Sequence, residues 1–295
     1  MANLERKLAD IQQSNQDFLN SSLQKVHGNL LVKFKRFVEE QIRAIEDTKV
    51  KINKRKGVIS FMKVFPPFSM AVENMLLGID PNLNVRRTVD REYDRILRSM
   101  FDSLKVIARE NPAVGVAAAG AGADPEDKEA LNYHILLIEN MNHYIEEVET
   151  REDETLEKWK RAASDEINEH MTRYLDAVMR RPLGKLLDTI ENIEGQLKSG
   201  KAPAAIAAQP SNSKATFDKV LLHYDAKEVR KGIESLRKRV EKHFDENNSL
   251  ALKVTKSCES YYNEVEQRIA RVVSELYGGE VLVEWPRLEV KSGFR

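Results

Sequence analysis

The sequence predicts an all-α protein, an elongated rod of stacked antiparallel helical bundles. Three observations predict it. Helix breakers are scarce: 13 glycines and 9 prolines in 295 residues, about 7% of the chain where ~12% is usual. Apolar residues recur three and four apart along most of the chain, the period of a helix with one buried face. Charged residues reach 32%, above the usual ~25%, and fall on the faces opposite the apolar stripes.

Taken in order, the first helix is expected over about residues 3–52, where Leu19, Leu23, Val26, Leu30, Phe34 and Phe37 form a stripe running through Gly28. A second follows at 57–77, which Pro66-Pro67 should bend or split. A third, 83–109, carries Arg86, Arg87, Arg91, Arg95 and Arg98 alternating with Asp90 and Asp94, the pattern of a salt-bridged face. Asn111 to Asp124, rich in Ala and Gly, reads as a mobile surface loop closing an N-terminal bundle over 1–125. The C-terminal bundle, 126–295, opens on Asp124 as a cap, Pro125 at the first helical position and acids behind it.

Its first helix, 126–149, has the stripe Leu131, Ile135, Ile138, Met141, Ile145 and Val148. Thr150-Arg151-Glu152-Asp153 fits a capping pattern, so a break is expected near 150. The next helix, 152–180, has Leu156, Trp159, Ala163, Ile167, Met171, Leu175 and Val178 on one side, and Pro182 should start a separate helix at 183–198. Ser199 to Lys214, with Pro203 and Pro210, reads as a second, flexible loop; alanine favours helix, so short helical turns are compatible with it. Helices at 214–247 (Val229, Ile233, Leu236, Val240, Phe244) and 250–277 (Val254, Cys258, Tyr261, Val265, Ile269, Val272, Leu276) complete the set. Ser249 would cap the last and Gly278-Gly279 end it. Each stripe must be buried against neighbouring helices. A helix of ~28 residues is ~42 Å long, which is what makes the expected shape a rod.

Composition also narrows function. With 47 basic and 47 acidic residues the net charge is zero, so no domain-wide field exists for nucleic acid. One cysteine, Cys258, allows neither an intrachain disulfide nor a Cys-based zinc site, and its place on an apolar stripe marks it as a packed small hydrophobe. No apolar run approaches the ~18–20 residues of a membrane span. Met1 to Lys7 lacks the apolar core of a secretory signal, so a cytosolic chain is expected.

No phosphate loop, dinucleotide fingerprint or nucleophile elbow is present, and no catalytic, cofactor-binding or metal residues are assigned. His134, Glu139 and His143 are spaced by five and nine residues, which scatters them around a helix instead of aligning them as ligands. The acidic run Glu146, Glu147, Glu149, Glu152, Asp153, Glu154 and Glu157 reads as a solvated face or a docking patch for a basic partner. The sharpest charged feature is basic: Lys49, Lys51, Lys54, Arg55 and Lys56. These cations complement the end of the first helix, and they also suit an acidic partner or anionic lipid, at ~1 kcal/mol per charge near a membrane.

Several strings resemble a known family. They are Phe37-Val38-Glu39-Glu40-Gln41-Ile42 through Lys54-Arg55-Lys56-Gly57-Val58-Ile59 and Phe65-Pro66; Asn132-Tyr133-His134 through Glu139-Asn140-Met141-Asn142-His143-Tyr144; Arg180-Arg181-Pro182-Leu183-Gly184-Lys185-Leu186; and Tyr277-Gly278-Gly279 through Trp285. Together they resemble the C-terminal region of the exocyst complex component 1 family, the “Sec three” subunits, with a divergence of fungal type. The resemblance implies the stacked-bundle fold of multisubunit tethering complexes. It implies a non-catalytic scaffold that holds secretory vesicles at the plasma membrane before SNARE-mediated fusion. The implied partners are other exocyst subunits, with Rho- or Rab-type GTPases and SNAREs reached through the complex. The implied place is cytoplasmic, peripheral to the plasma membrane at sites of polarised secretion. Family members carry an N-terminal phosphoinositide-binding module and a coiled coil that have no counterpart here, so the chain is expected to be a C-terminal fragment. The alternative reading is an anionic-lipid (phosphoinositide) module using the basic run at 49–56.

Overall fold

The computed structural model describes residues 1–11, 16–48, 57–80, 82–109, 128–151, 156–244, 248–280 and 283–295. Among them every regular element is an α-helix or a 3-10 turn, as the scarcity of breakers requires. The chain forms two compact units, each from two stretches: Met1–Val116 with Leu136–Ile167, and Ala117–Ile135 with Asn168–Arg295. Two of the boundaries, 135/136 and 167/168, fall inside long helices. A helix satisfies its own backbone across such a point, so no breaker marks it.

The first unit contains α1 (Ala2–Ile11), α2 (Asp17–Glu46), α3 (Ser60–Leu76), α4 (Asn84–Arg109), most of α5 (Lys128–Arg151) and the start of α6 (Glu157–Lys198). One expected helix over 3–52 is thus two. The pair Pro66-Pro67 lies inside α3 without splitting it. Proline supplies no N–H to the preceding turn. Here the Ser69 hydroxyl donates to the Pro66 carbonyl at 2.9 Å, and Tyr93 donates to the Ser69 carbonyl at 3.2 Å. Burial of Phe61, Met62, Phe65 and Pro66 offsets the lost bonds. The centre of the unit is α4, whose Tyr93, Leu97, Met100 and Leu104 are almost wholly buried. Phe101 meets the edges of Tyr144 at 5.6 Å and Trp159 at 5.2 Å.

The arginine-studded face of α4 is ion-paired as its spacing suggests. Arg86 grips Glu73 through both nitrogens, at 2.6 and 3.0 Å, and also holds Asp90. Arg95 bridges Glu39 of α2 and the buried Glu92. Asp94 turns instead to the indole N–H of Trp159, at 2.7 Å, and to Lys158.

The second unit holds the remainder of α5 and α6, then α7 (Pro203–Ala207), α8 (Lys214–Leu221), α9 (Ala226–His243), α10 (Asn248–Tyr277) and α11 (Arg287–Gly293). Pro182 does not start a helix; α6 runs through it for 42 residues. Val178, Met179, Leu183, Leu186, Leu187 and Ile190 around it are buried, which outweighs one lost hydrogen bond. The expected 214–247 helix is broken by a 3-10 turn at Leu222–Tyr224, and Asp225 caps α9 by accepting from Glu228 N–H at 2.8 Å. Segment 199–214 is not a loose loop: it folds into α7 and a 3-10 turn at Pro210–Asn212, with Ile206 and Asn212 buried. Gly278 and Gly279, at φ 65° and 87°, end α10 in left-handed conformations, and Gly279 N–H reaches back to the Val273 carbonyl. The short α11 packs on α9, where Arg237 donates to the Gly293 carbonyl at 3.0 Å. The other expected loop, 111–124, and the Asp124 cap lie outside the described residues.

Candidate functional site

In the first unit, the chain that enters α3 is clamped by α5. Glu139, only 3% exposed, accepts the Gly57 backbone N–H at 3.0 Å. Asn140, fully buried, accepts the Ile59 N–H at 2.8 Å. Its amide donates in turn to the carbonyls of Gly57, at 3.3 Å, and Leu136, at 2.8 Å. Gly57 itself sits at φ 83°, a conformation that glycine alone adopts at little cost. Two backbone donors, buried where helix α3 has not yet begun, thereby find partners 81 and 82 residues away. Two of the family strings meet at this clamp, Gly57-Val58-Ile59 and Glu139-Asn140.

Beside the clamp lies an apolar face. A cavity of about 100 Å³ is lined by Phe37 and Ile45 of α2, Phe61, Val64 and Phe68 of α3, and Met100 of α4, with Gln41 as a polar member. Phe68 packs on Phe37 at 6.0 Å and on Phe65 at 6.2 Å. The mouth is open: Val64 is 64% and Phe37 is 42% exposed. Along the outer side of α3, Ser60, Val64, Pro67, Met70, Ala71, Asn74 and Met75 are exposed, with Lys63 the one exposed charge among them. The stripe of α2 that periodicity assigns to the core is only partly buried. Val38 and Ile45 are buried, whereas Leu19 and Val26 of that stripe are exposed. Soluble surfaces seldom leave so many large apolar groups on one face without a partner to cover them.

The residues weighed for metal binding are engaged elsewhere. Glu139 belongs to the clamp. His134 lies in the second unit, with Nδ1 3.0 Å from Nδ1 of His170. The Tyr133 ring packs edge-on against both imidazoles, at 5.2 and 5.3 Å. Burial, then His170 and Arg173, push the His134 pKa down to about 4. His143 is in the first unit, lowered mainly by burial. Cys258 is fully buried, and burial raises its thiol to about 12, so it packs as a small hydrophobe. Of the acidic run, Glu147 pairs with Arg151 at 2.7 Å, and Lys160 joins Glu149 to Glu157. Lys49, Lys51, Lys54, Arg55 and Lys56 lie outside the described residues.

Sequence reasoning missed the clamp, the paired histidines and the apolar face. Only the last had a local signal: α3 contains just Lys63 and Glu73 as charged residues over 17 positions.

The comparisons agree with the architecture. The family model described as Exocyst complex component Sec3, C-terminal, matches residues 1–279. Exocyst complex component 1 of Mus musculus is 25% identical over 266 residues, covering 89% of this chain and 27% of the relative. Its Drosophila melanogaster counterpart is 25% identical over 264 residues, covering 88% of this chain and 27% of the relative. The chain thus spans about a quarter of the length of these curated relatives. No solved structure matches. A chain whose described elements are helical, matched over residues 1–279 and with two of the resembling strings meeting at a buried clamp, belongs to the family Exocyst complex component Sec3, C-terminal.

Proposed function

We propose that this chain is a non-catalytic helical scaffold of the exocyst, one that docks other exocyst subunits and so helps hold secretory vesicles at the plasma membrane before SNARE-mediated fusion. The observation that carries the reading is the largely apolar outer side of α3, where Lys63 is the one exposed charge, with the open cavity at Phe37, Val64 and Phe68. A cavity of about 100 Å³ accepts one large apolar side chain, and the exposed row beside it accepts the next turns of the same helix. The occupant is an amphipathic helix of another exocyst subunit. Rho- or Rab-type GTPases and SNAREs reach the scaffold through the assembled complex. The basic run, five cations in residues 49–56, supports a further contact with an acidic surface at the membrane periphery.

The test is assembly. Val64→Glu and Met75→Glu place charges on the exposed face without touching the core. Co-purification of the other subunits with the full-length protein should fall about tenfold or more, the loss of one buried apolar anchor. Crosslinks to a partner should map to α2 and α3. Undiminished co-purification, or crosslinks confined to other surfaces, sinks the reading.

A further inference from the structure

Methionine is distributed unevenly between the core and the surface of this chain. Of eight methionines, Met62, Met100, Met141 and Met179 are fully buried, and Met1 and Met171 are half-buried. Only Met75, at 77% exposure, and Met70, at 41%, stand open to solvent. Both lie on the outer side of α3, the face that also carries Val64 and Pro67. A thioether is unbranched and polarizable, so it moulds to the apolar side chains of a partner. It is also the one apolar group on this face that a mild oxidant turns polar.

The surroundings of Met70 suit the oxidised form. Arg151 of α5 holds the Glu147 carboxylate through Nε at 3.0 Å and Nη2 at 2.7 Å. That grip orients the guanidinium and aims Nη1 at the Met70 sulfur, 3.2 Å away. A thioether sulfur is a weak acceptor, whereas the polarised oxygen of a sulfoxide is a strong one. The N–H already in place therefore binds the oxidised side chain better than the reduced one. Met75 needs no such donor, because at its exposure water solvates the oxygen.

We propose that Met70 and Met75 form a reversible oxidation site on the docking face of α3, with hydrogen peroxide as the oxidant. A sulfur lone pair attacks one peroxide oxygen, and the S–O bond forms as the O–O bond breaks. The departing hydroxide takes the proton left on the transferred oxygen and leaves as water. Sulfur gives up two electrons and the peroxide accepts them. A partner helix that covered two thioethers must then bury two polar oxygens, and it lets go. Methionine sulfoxide reductases, one for each epimer, reset the face. The release of the partner rests on the docking reading of α3; the oxidation of the two sulfurs does not.

The test treats the purified full-length protein with hydrogen peroxide, quenches with catalase and maps the products by peptide mass spectrometry. Met70 and Met75 are expected to oxidise at least about tenfold faster than Met62, Met100, Met141 and Met179. The oxidised protein is then mixed with untreated exocyst subunits. Co-purification should fall about tenfold and return after treatment with both reductases. The variant Met70→Leu/Met75→Leu is compared with itself before and after peroxide, and its co-purification should not change. Equal oxidation of exposed and buried methionines overturns the inference. A peroxide effect that persists in the double variant also overturns it. So does undiminished co-purification of the oxidised protein when Val64→Glu abolishes assembly, an outcome that leaves the docking reading standing. If Val64→Glu assembles normally, the docking reading fails and the regulation built on it fails too.

Discussion

The paired imidazoles of His134 and His170 should make the second unit sensitive to mild acid. With the two Nδ1 atoms 3.0 Å apart, one nitrogen donates and the other accepts. Protonating the acceptor breaks that bond, turning two nitrogen-bound protons toward each other, and sets an imidazolium near the Arg173 cation. Burial opposes the charge as well, and the His134 pKa falls from 6.5 to about 4. The unfolded chain therefore binds more protons than the folded one between these values. Stability is fully present above about pH 6.5 and is lost as pH falls toward 4. A full shift of this size has a ceiling of about 3.4 kcal/mol at ~1.36 kcal/mol per unit. The His134 ring is half-buried, so water screening brings the expected loss to about 1–2 kcal/mol. Urea unfolding followed by circular dichroism across that window measures it. His134→Asn keeps a polar contact but cannot titrate, so the variant should lose about 1–2 kcal/mol less than the natural chain on the acid side. Carboxylates titrate in both proteins, so the difference between the two curves is the readout. Superimposable pH slopes would refute the reasoning.

Three further outcomes follow from the packing. Asn140→Ala strands the backbone groups of Gly57 and Ile59 in the interior and should cost about 2–3 kcal/mol, seen as a lower unfolding midpoint; a loss below about 0.5 kcal/mol would mean the clamp bears no weight. Ile206→Ala should cost about 2–4 kcal/mol, because Ile206 is fully buried on a segment that would tolerate the change if it were a loose loop. Cys258, with its thiol pushed up to about 12, should resist a thiol-specific reagent in the native protein and react only after unfolding; rapid native labelling would contradict its burial.

How far the sequence reaches differs from element to element. On α9 the spacing of Val229, Ile233, Leu236 and Val240 names the buried face, and all four are buried. On α10 the same holds for Val254, Cys258, Val265, Ile269 and Val272, although the buried tyrosine is Tyr262 while Tyr261 reaches out to Asp176. On α2 the method fails, because the helix is covered on one side and its apolar stripe is wider than the cover. The split between α8 and α9 was legible in Asp225 and Glu228, three residues apart, a capping pair lost within a long periodic run.

The sequence by itself determined the all-helical class, the deep stripes and the family, because local period and a few ordered strings suffice for each. The tertiary structure decided what long-range contact alone can fix. It carries α6 through Pro182, since burial on both sides outweighs one missing hydrogen bond. It joins Gly57 to Glu139 and His134 to His170, pairs whose members no local spacing connects. It also leaves the outer face of α3 uncovered, because period shows that a face is apolar and only packing shows whether the chain itself covers it.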